Sequence, residues 1–179
     1  MLSLVLAAGE KREHVVNLMG KYADPNAIHR AMDFGLNLID TAPGYEDGYS
    51  EAIVGAALRG RREGMFVIDK IDALDQPVAP QVDASLGKLG LDMVNLFVFH
   101  AVSELQQWEK LAAAGGGMEQ LGQIASTGKV RFRGISSHHP EILRQAINSG
   151  LSPCAKSNCY PGTGIVVPKG CYLMALVLG

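Results

Sequence analysis

Short apolar runs alternate along this chain with longer segments of helical spacing, and this alternation constrains the fold more than any other feature. The alternation is typical of parallel strands that are joined by helical crossovers. The runs are nearly continuous in apolar residues, as expected for strands whose two faces are both covered. The strand candidates are residues 2–7, 36–40, 65–70, 93–100, 130–136 and, with a poorer pattern, 153–158.

Helices are predicted between the strands from apolar spacing and from the residues that start and stop a helix. The predicted helices begin and end at Asp24 and Gly35, Ser50 and Arg59, Val78 and Leu89, Met118 and Ser126, and Pro140 and Ile147. The glycine run at 115–117 interrupts the connection between residues 103 and 127. We expect a loop with a partial turn before the helix that begins at Met118.

Parallel strands with right-handed crossovers form either an open sheet or a closed barrel. The turn after the first strand, residues 7–10, lacks the Gly-x-Gly-x-x-Gly pattern of an open dinucleotide-binding sheet, which favours the barrel. A (β/α)8 barrel normally needs at least about 200 residues. We therefore expect an α/β protein of the TIM-barrel type, incomplete at about six to seven βα units. We expect residues 1–179 to form a single domain, in which 151–179 diverge and could supply a seventh strand.

The composition excludes several classes of function. Sixteen basic and eighteen acidic residues give a net charge of −2, without the basic stripe of a nucleic-acid-binding protein. The apolar N-terminal run is too short for a membrane span and lacks the basic residues of a signal sequence. Cys154, Cys159 and Cys171 match no zinc or iron–sulfur spacing, so we predict no metal site. Their odd number fits a reducing cytoplasm.

Polar residues close four of the predicted strands. Asp40, Lys70, His100 and Ser136 each stand at the last position of a different strand candidate. Because the carboxyl ends of barrel strands open onto one rim, where catalytic residues sit, we expect these side chains to converge. Taken singly, each has a structural interpretation: a turn-forming aspartate, a solvated lysine and a buried histidine.

Tyr45 lies in the glycine-rich and acidic loop 43–48, which we expect above the same rim. A lysine ammonium near a phenol favours the phenolate and lowers a reference pKa of about 10. Asp40 would keep Lys70 charged and oriented. Tyr45 is therefore a candidate proton donor.

These residues resemble the aldo-keto reductase family. The likeness is carried by Gly35-Leu36-Asn37-Leu38-Ile39-Asp40-Thr41-Ala42-Pro43-Gly44-Tyr45, by Ser50-Glu51 with Gly55 and Leu58, by residues 85–92, by the strand that ends at His100, and by residues 128–137. The resemblance covers roughly residues 24–150, and within the family the chain looks like a bacterial branch. It implies that Tyr45 is the general acid, Lys70 lowers its pKa, Asp40 is the partner of Lys70, and His100 orients the carbonyl.

The resemblance also implies a nicotinamide cofactor, NADPH with NADH as the alternative, and reduction of an aldehyde or ketone. Ser136 matches the serine that holds the nicotinamide carboxamide, and Ser137 stands where the family more often has asparagine. Lys156 stands near the family's amide-binding glutamine, and Tyr160 would replace the aromatic residue that stacks on the nicotinamide. Asp69 departs from the family pattern, and an extra carboxylate there would alter the charge balance of the lysine.

Two other functions stay open. A truncated, non-catalytic reductase fragment or cofactor-binding subunit would keep these residues by descent. A different barrel enzyme would use Lys70 as a Schiff base, which leaves Tyr45 and His100 without roles. The expected partner is a small carbonyl substrate whose identity the sequence does not give. An incomplete barrel exposes strand edges and apolar helix faces, which favours self-association.

Overall fold

The computed structural model describes residues 5–6, 25–35, 37–157 and 172–175, and within them strands alternate with helices. The strands are β1 (Val5–Leu6), β2 (Leu38–Asp40), β3 (Phe66–Ile71), β4 (Val94–Phe99), β5 (Val130–Ser137), β6 (Cys154–Ser157) and β7 (Tyr172–Ala175). The helices are α1 (Pro25–Asp33), α2 (Tyr49–Leu58), α3 (Val78–Leu89), α4 (Leu105–Ala112), α5 (Gly117–Ser126) and α6 (Pro140–Asn148). A short 3₁₀ turn (Tyr45–Gly48) precedes α2.

The described strands form one parallel sheet in the order β1 to β7, so each strand pairs with its neighbours in sequence. This is the predicted partial (β/α) barrel, with strands and helices in the predicted sequence order. Residues 172–175 supply its seventh strand. None of the described helices combines the length and apolar character needed to cross a membrane.

The connection after β4 differs from our prediction. Residues 105–112 form α4, where we expected a loop with a partial turn. A capping box starts this helix: the side chains of Glu104 and Gln107 each accept a hydrogen bond from the other residue's backbone N–H. Trp108 and Leu111, one turn apart, are both buried. The prediction was wrong here because glutamate is not a typical N-cap residue and the buried face of the helix is only two residues wide.

Side chains of the sheet alternate between two apolar clusters. The larger cluster lies between the sheet and the helices, and it includes Val67, Phe97 and Ile135. The smaller cluster, on the inner face of the barrel, contains Ile68, Leu96, Val98 and Cys154. Burying an aliphatic side chain of this size contributes about 1.5–3 kcal/mol, so both clusters hold the strands in register.

Helix α2 packs closely against the end of α3 at Gly55. A Cβ atom added at Gly55 would lie 2.2 Å from the carbonyl oxygen of Leu89, which is a backbone atom. Only glycine permits this approach. The contact fixes α2, and through it the loop that precedes α2, against the sheet.

Candidate active site

Three of the predicted catalytic residues lie on the inner face, at the carboxyl ends of neighbouring strands. Asp40 is the last residue of β2 and pairs in register with Ile68, two residues before Lys70. Side chains alternate along a strand, so Asp40 and Lys70 share one face. His100, which we predicted as the last residue of its strand, directly follows the observed end of β4 at Phe99. The structure thus brings these side chains to the rim on which we expected them.

Lys70 is buried among oxygen acceptors. Its Nζ donates to Asp40 Oδ1 at 3.0 Å and to the carbonyl oxygen of Thr41 at 2.6 Å. The side chains of Lys70 and Asp40 are only 1% and 0% exposed. Removing two charges from water is costly unless they are paired and hydrogen-bonded, as they are here. These contacts hold Lys70 as an ammonium ion with a fixed position.

Tyr45 connects this ion pair to His100. Lys70 Nζ lies 4.4 Å from the centroid of the Tyr45 ring, within the range of a cation–π contact. The Tyr45 and His100 rings make an edge-to-face contact, with centroids 5.8 Å apart and planes at 79°. Asp40, Lys70, Tyr45 and His100 therefore form a continuous chain of contacts.

Asp72 belongs to this cluster, although the sequence analysis did not identify it. Its Oδ1 lies 2.5 Å from His100 Nδ1, and its Oδ2 accepts a hydrogen bond of 2.8 Å from the backbone N–H of Gly44. The hydrogen bond with His100 holds the pKa of the Asp72 carboxyl below its ordinary value. The signal for it was present, because Asp72 follows Lys70 by two residues and so shares its face of the chain.

Ser136 supports the turn that carries His100. Its Oγ accepts a hydrogen bond of 2.9 Å from the backbone N–H of Ala101, which has a φ of +51°. The same hydroxyl donates a longer hydrogen bond to the carbonyl oxygen of Phe99. A hydroxyl has two acceptor lone pairs, so one of them is left for another donor.

Ser137 lies on the other face of β5, because side chains alternate along the strand. Its Oγ donates to the carbonyl oxygen of Val102 at 2.6 Å and accepts from the backbone N–H of His139. The structure therefore does not bring Ser137 to the inner face with Ser136. Lys156 is in β6, paired in register with Ser136, while Tyr160 lies outside the described residues.

Asp69, the departure from the family pattern, points away from Lys70 and towards α2. Its carboxyl is fully buried and interacts with that of Glu51, which is also buried. Burial, and next the charge of Glu51, raise the pKa of Asp69 well above its ordinary value. Lys88 Nζ lies 3.3 Å from Glu51 on the outer side of the pair. Asp69 is thus part of a buried acid pair behind the sheet, and its carboxyl accepts the backbone N–H of Lys70 instead of lying on the inner face beside the Lys70 ammonium.

A polar cleft of about 920 Å³ opens beside the site. Its lining includes Asp72, His100, Glu104, Lys110 and Gln120. Across the described residues, no three histidine, cysteine or acidic side chains are grouped so that they could hold a metal ion. The phenol, the ammonium and the imidazole that meet at this site can donate protons and polarise a bound carbonyl group.

Comparisons with known proteins identify the family of the chain. The family model "Aldo/keto reductase family" matches residues 20–167, which extends past the end of the likeness that we quoted. Methylglyoxal reductase YeaE of Escherichia coli is 36% identical over 114 residues, which span 62% of this chain and 38% of that protein. The NADH-specific methylglyoxal reductase of the same organism is 29% identical, over 70% of this chain and 44% of its own length.

A solved structure shares the fold. The aldo/keto reductase of Klebsiella pneumoniae, crystallised with NADP and acetate, superimposes with a TM-score of 0.62 at 24% identity. The match covers 74% of this chain and 46% of that one, so the chain spans about half the length of the proteins that it resembles. The family model, which matches most of the chain, shows that this protein belongs to the aldo/keto reductase family.

Proposed function

We propose that this protein is an oxidoreductase that uses NADPH or NADH to reduce an aldehyde or ketone to an alcohol, with Tyr45 as the proton donor. The observation that carries the proposal is the contact between Tyr45, the buried Lys70 ammonium and His100. Membership of the aldo/keto reductase family supports the reaction class. The residue roles rest on the geometry of this site.

Proton donation by Tyr45 is assisted by Lys70. A positive charge near a phenol stabilises the phenolate that remains when the proton has left. Asp40 and the carbonyl of Thr41 fix the ammonium, so Lys70 needs no reorganisation during the reaction. General acid catalysis by a positioned group of this kind contributes about 10²- to 10⁴-fold in rate.

His100 stands beside Tyr45, where both side chains can approach a carbonyl oxygen. An N–H of the imidazole and the hydroxyl of Tyr45 would then bind the oxygen on which negative charge develops. Preorganised donors of this kind stabilise a developing oxyanion. In this arrangement His100 orients the substrate and Tyr45 protonates it.

The inner face also fits a nicotinamide cofactor. Ser136 has an acceptor lone pair for a carboxamide N–H, and Lys156 lies next to it in register on the adjacent strand. The cofactor supplies the hydride when it is bound. We propose Ser136, Lys156 and Tyr160 as binding residues, whereas Ser137 would act by holding the backbone at Val102.

The proposed substrates are small carbonyl compounds. Two relatives are named as methylglyoxal reductases, which makes methylglyoxal the first compound to test. One relative is named as NADH-specific and one similar structure contains NADP, so both cofactors belong in the assay. A cytoplasmic location and self-association remain predictions from the sequence.

The Schiff-base alternative is disfavoured by the surroundings of Lys70. A nucleophilic lysine must lose its proton, whereas Lys70 is paired with the Asp40 carboxylate and buried at 1% exposure. The contacts of Tyr45 with Lys70 and His100 also have no purpose in that mechanism. We therefore place carbonyl reduction ahead of it.

The test is NADPH or NADH oxidation in the presence of methylglyoxal and a panel of aldehydes. We expect turnover that Tyr45→Phe reduces at least 10²-fold, because the phenol is the proton source. Tyr49→Phe is the matched control, since Tyr49 is 48% exposed on the first turn of α2, and it should keep wild-type activity.

The outcomes separate the alternatives. Cofactor fluorescence reports whether the folded protein binds NADPH. Binding without turnover of any carbonyl compound would identify the non-catalytic subunit. Equal activity of Tyr45→Phe and the wild type would exclude Tyr45 as the donor. Trapping of a substrate on Lys70 by borohydride would revive the Schiff-base mechanism.

A further inference from the structure

Asp72 makes two contacts that tie the loop after β3 to the rest of the site. One carboxylate oxygen meets His100 Nδ1 at 2.5 Å, and the other accepts the backbone N–H of Gly44 at 2.8 Å. Gly44 immediately precedes Tyr45, so Asp72 contacts both His100 and the loop that carries the proposed acid. Gly44 and His100 are each 28 positions from Asp72 in the sequence, so both contacts are formed by the tertiary structure.

The contact with Asp72 determines what the imidazole can donate. An ionised carboxylate is only an acceptor, so His100 Nδ1 must carry a hydrogen to bond with it. A neutral imidazole has one N–H and one lone pair. With the hydrogen on Nδ1, the other nitrogen, Nε2, is an acceptor in the neutral ring and a donor only in the imidazolium ion.

We propose that Asp72 is a positioning residue that holds His100 in the Nδ1–H form, so that His100 donates a hydrogen bond to the carbonyl substrate only as the imidazolium ion. The inference deepens the proposed function, because it rests on His100 orienting the carbonyl. Carbonyl reduction then requires a protonated His100 ring in addition to the proton on Tyr45. No chemical step is added, since Asp72 keeps its charge throughout.

The charges around His100 are consistent with this role. Asp72 faces the ring from the loop after β3, while Tyr45 faces it from the loop after β2, with Lys70 behind the phenol. Asp75, Glu104 and Lys110 line the cleft that opens at His100. The carboxylate of Asp72 is in hydrogen-bond contact with the ring, and its side chain is only 34% exposed.

The tautomer can be measured without an activity assay. Protein labelled with ¹⁵N in its histidines gives imidazole signals whose shifts distinguish the Nδ1–H, Nε2–H and doubly protonated forms. The chain has five histidines, and the His100→Gln variant identifies the signal of His100. We expect the neutral form of His100 to be Nδ1–H in the wild type and to shift towards Nε2–H in Asp72→Asn.

Asp75→Asn is the matched control, because it removes the same charge from the same exposed loop. It should leave the His100 tautomer as it is in the wild type. The inference is overturned if His100 is the Nε2–H tautomer in the wild type, or if Asp72→Asn leaves the tautomer unchanged. The wild-type measurement alone decides the first point, whether or not a variant folds.

The kinetic arm tests the consequence for catalysis. Above the His100 titration measured in the same spectra, we expect kcat/KM for carbonyl reduction by the wild type to fall about tenfold per pH unit, as for loss of one essential proton. Asp72→Asn should be flat over that range, because a neutral Nε2–H ring can donate. The same wild-type slope in Asp72→Asn would refute the protonation requirement. If neither protein reduces a carbonyl compound, the proposed function fails while the spectra still decide the tautomer.

Discussion

Replacing Asp69 by asparagine should stabilise the protein at neutral pH. Asp69 Oδ1 accepts the backbone N–H of Lys70 at 2.8 Å, and an asparagine oxygen keeps that bond. Asp69 Oδ2 and Glu51 Oε1 are buried without a hydrogen-bond partner among the described residues, whereas Glu51 Oε2 lies 3.3 Å from Lys88 Nζ. An amide nitrogen in place of Oδ2 would donate permanently to Glu51, which Asp69 does only when it is protonated.

The size of the effect follows from the buried oxygens. An unsatisfied buried acceptor costs about 1–3 kcal/mol, which sets the expected gain for Asp69→Asn near pH 8. Because folding raises the pKa of Asp69, the protonated carboxyl stabilises the folded protein. This stabilisation is fully present below the unfolded pKa of about 3.9 and is lost as pH rises through the folded pKa. The increase in the free energy of unfolding caused by Asp69→Asn should therefore be near zero at about pH 4. Above that pH it should grow by at most about 1.4 kcal/mol per pH unit.

Urea unfolding followed by circular dichroism between pH 4 and pH 8 measures this difference directly. At pH 8 we also expect the melting temperature of Asp69→Asn to rise by about 2–4 °C per kcal/mol for a chain of this size. Asp92→Asn, an exposed change of the same kind, is the control and should alter neither value. A gain in stability that is independent of pH, or a loss of stability at every pH, would refute the interpretation that Asp69 donates to Glu51 when it is protonated.

Two other predictions concern packing and the buried ion pair. Gly55→Ala should destabilise by about 1–3 kcal/mol in urea unfolding, because its Cβ would overlap the Leu89 carbonyl, whereas Gly87→Ala, with nothing within 4 Å, should stabilise by up to about 1 kcal/mol. Urea unfolding midpoints of Gly55→Ala and Gly87→Ala that shift in the same direction would contradict this prediction. Lys70→Met should cost about 3–5 kcal/mol and abolish carbonyl reduction, because it removes the ammonium that pairs with the buried Asp40 carboxylate. Adding Asp40→Leu to Lys70→Met should recover most of the stability and none of the activity; a double variant no more stable than the single one would show that the lost charge pairing is not the cause.

The first and last residues of a helix could be predicted from the sequence where local signals mark both of its ends. Helix α3 begins and ends at the predicted residues, because Pro77 precedes it and Gly90 follows it with a positive φ. Helix α4 has neither signal, and its capping box starts with a glutamate. Residues 103–127 therefore show that side-chain capping is harder to foresee than a proline start or a glycine stop.

The candidate site residues that close an apolar run, and Tyr45 in the glycine-rich loop, could be predicted from the sequence, whereas Asp72 was missed. Asp40, Lys70 and His100 were found because each closes an apolar run, and parallel strands bring such ends together. Asp72 lies in an irregular loop, where its two contacts depend on tertiary structure. The separation of Ser136 from Ser137 follows from alternation in β5, which a pattern match alone does not consider.

The order of the sheet has a consequence for synthesis on the ribosome. Every described strand pairs with the strands next to it in sequence, so each βα unit can dock on the unit before it as the chain emerges. The Asp40 and Lys70 partners are 30 residues apart, so their pairing needs no segment from the C-terminal half. The charged centre of the site can therefore assemble while the later strands are still being made.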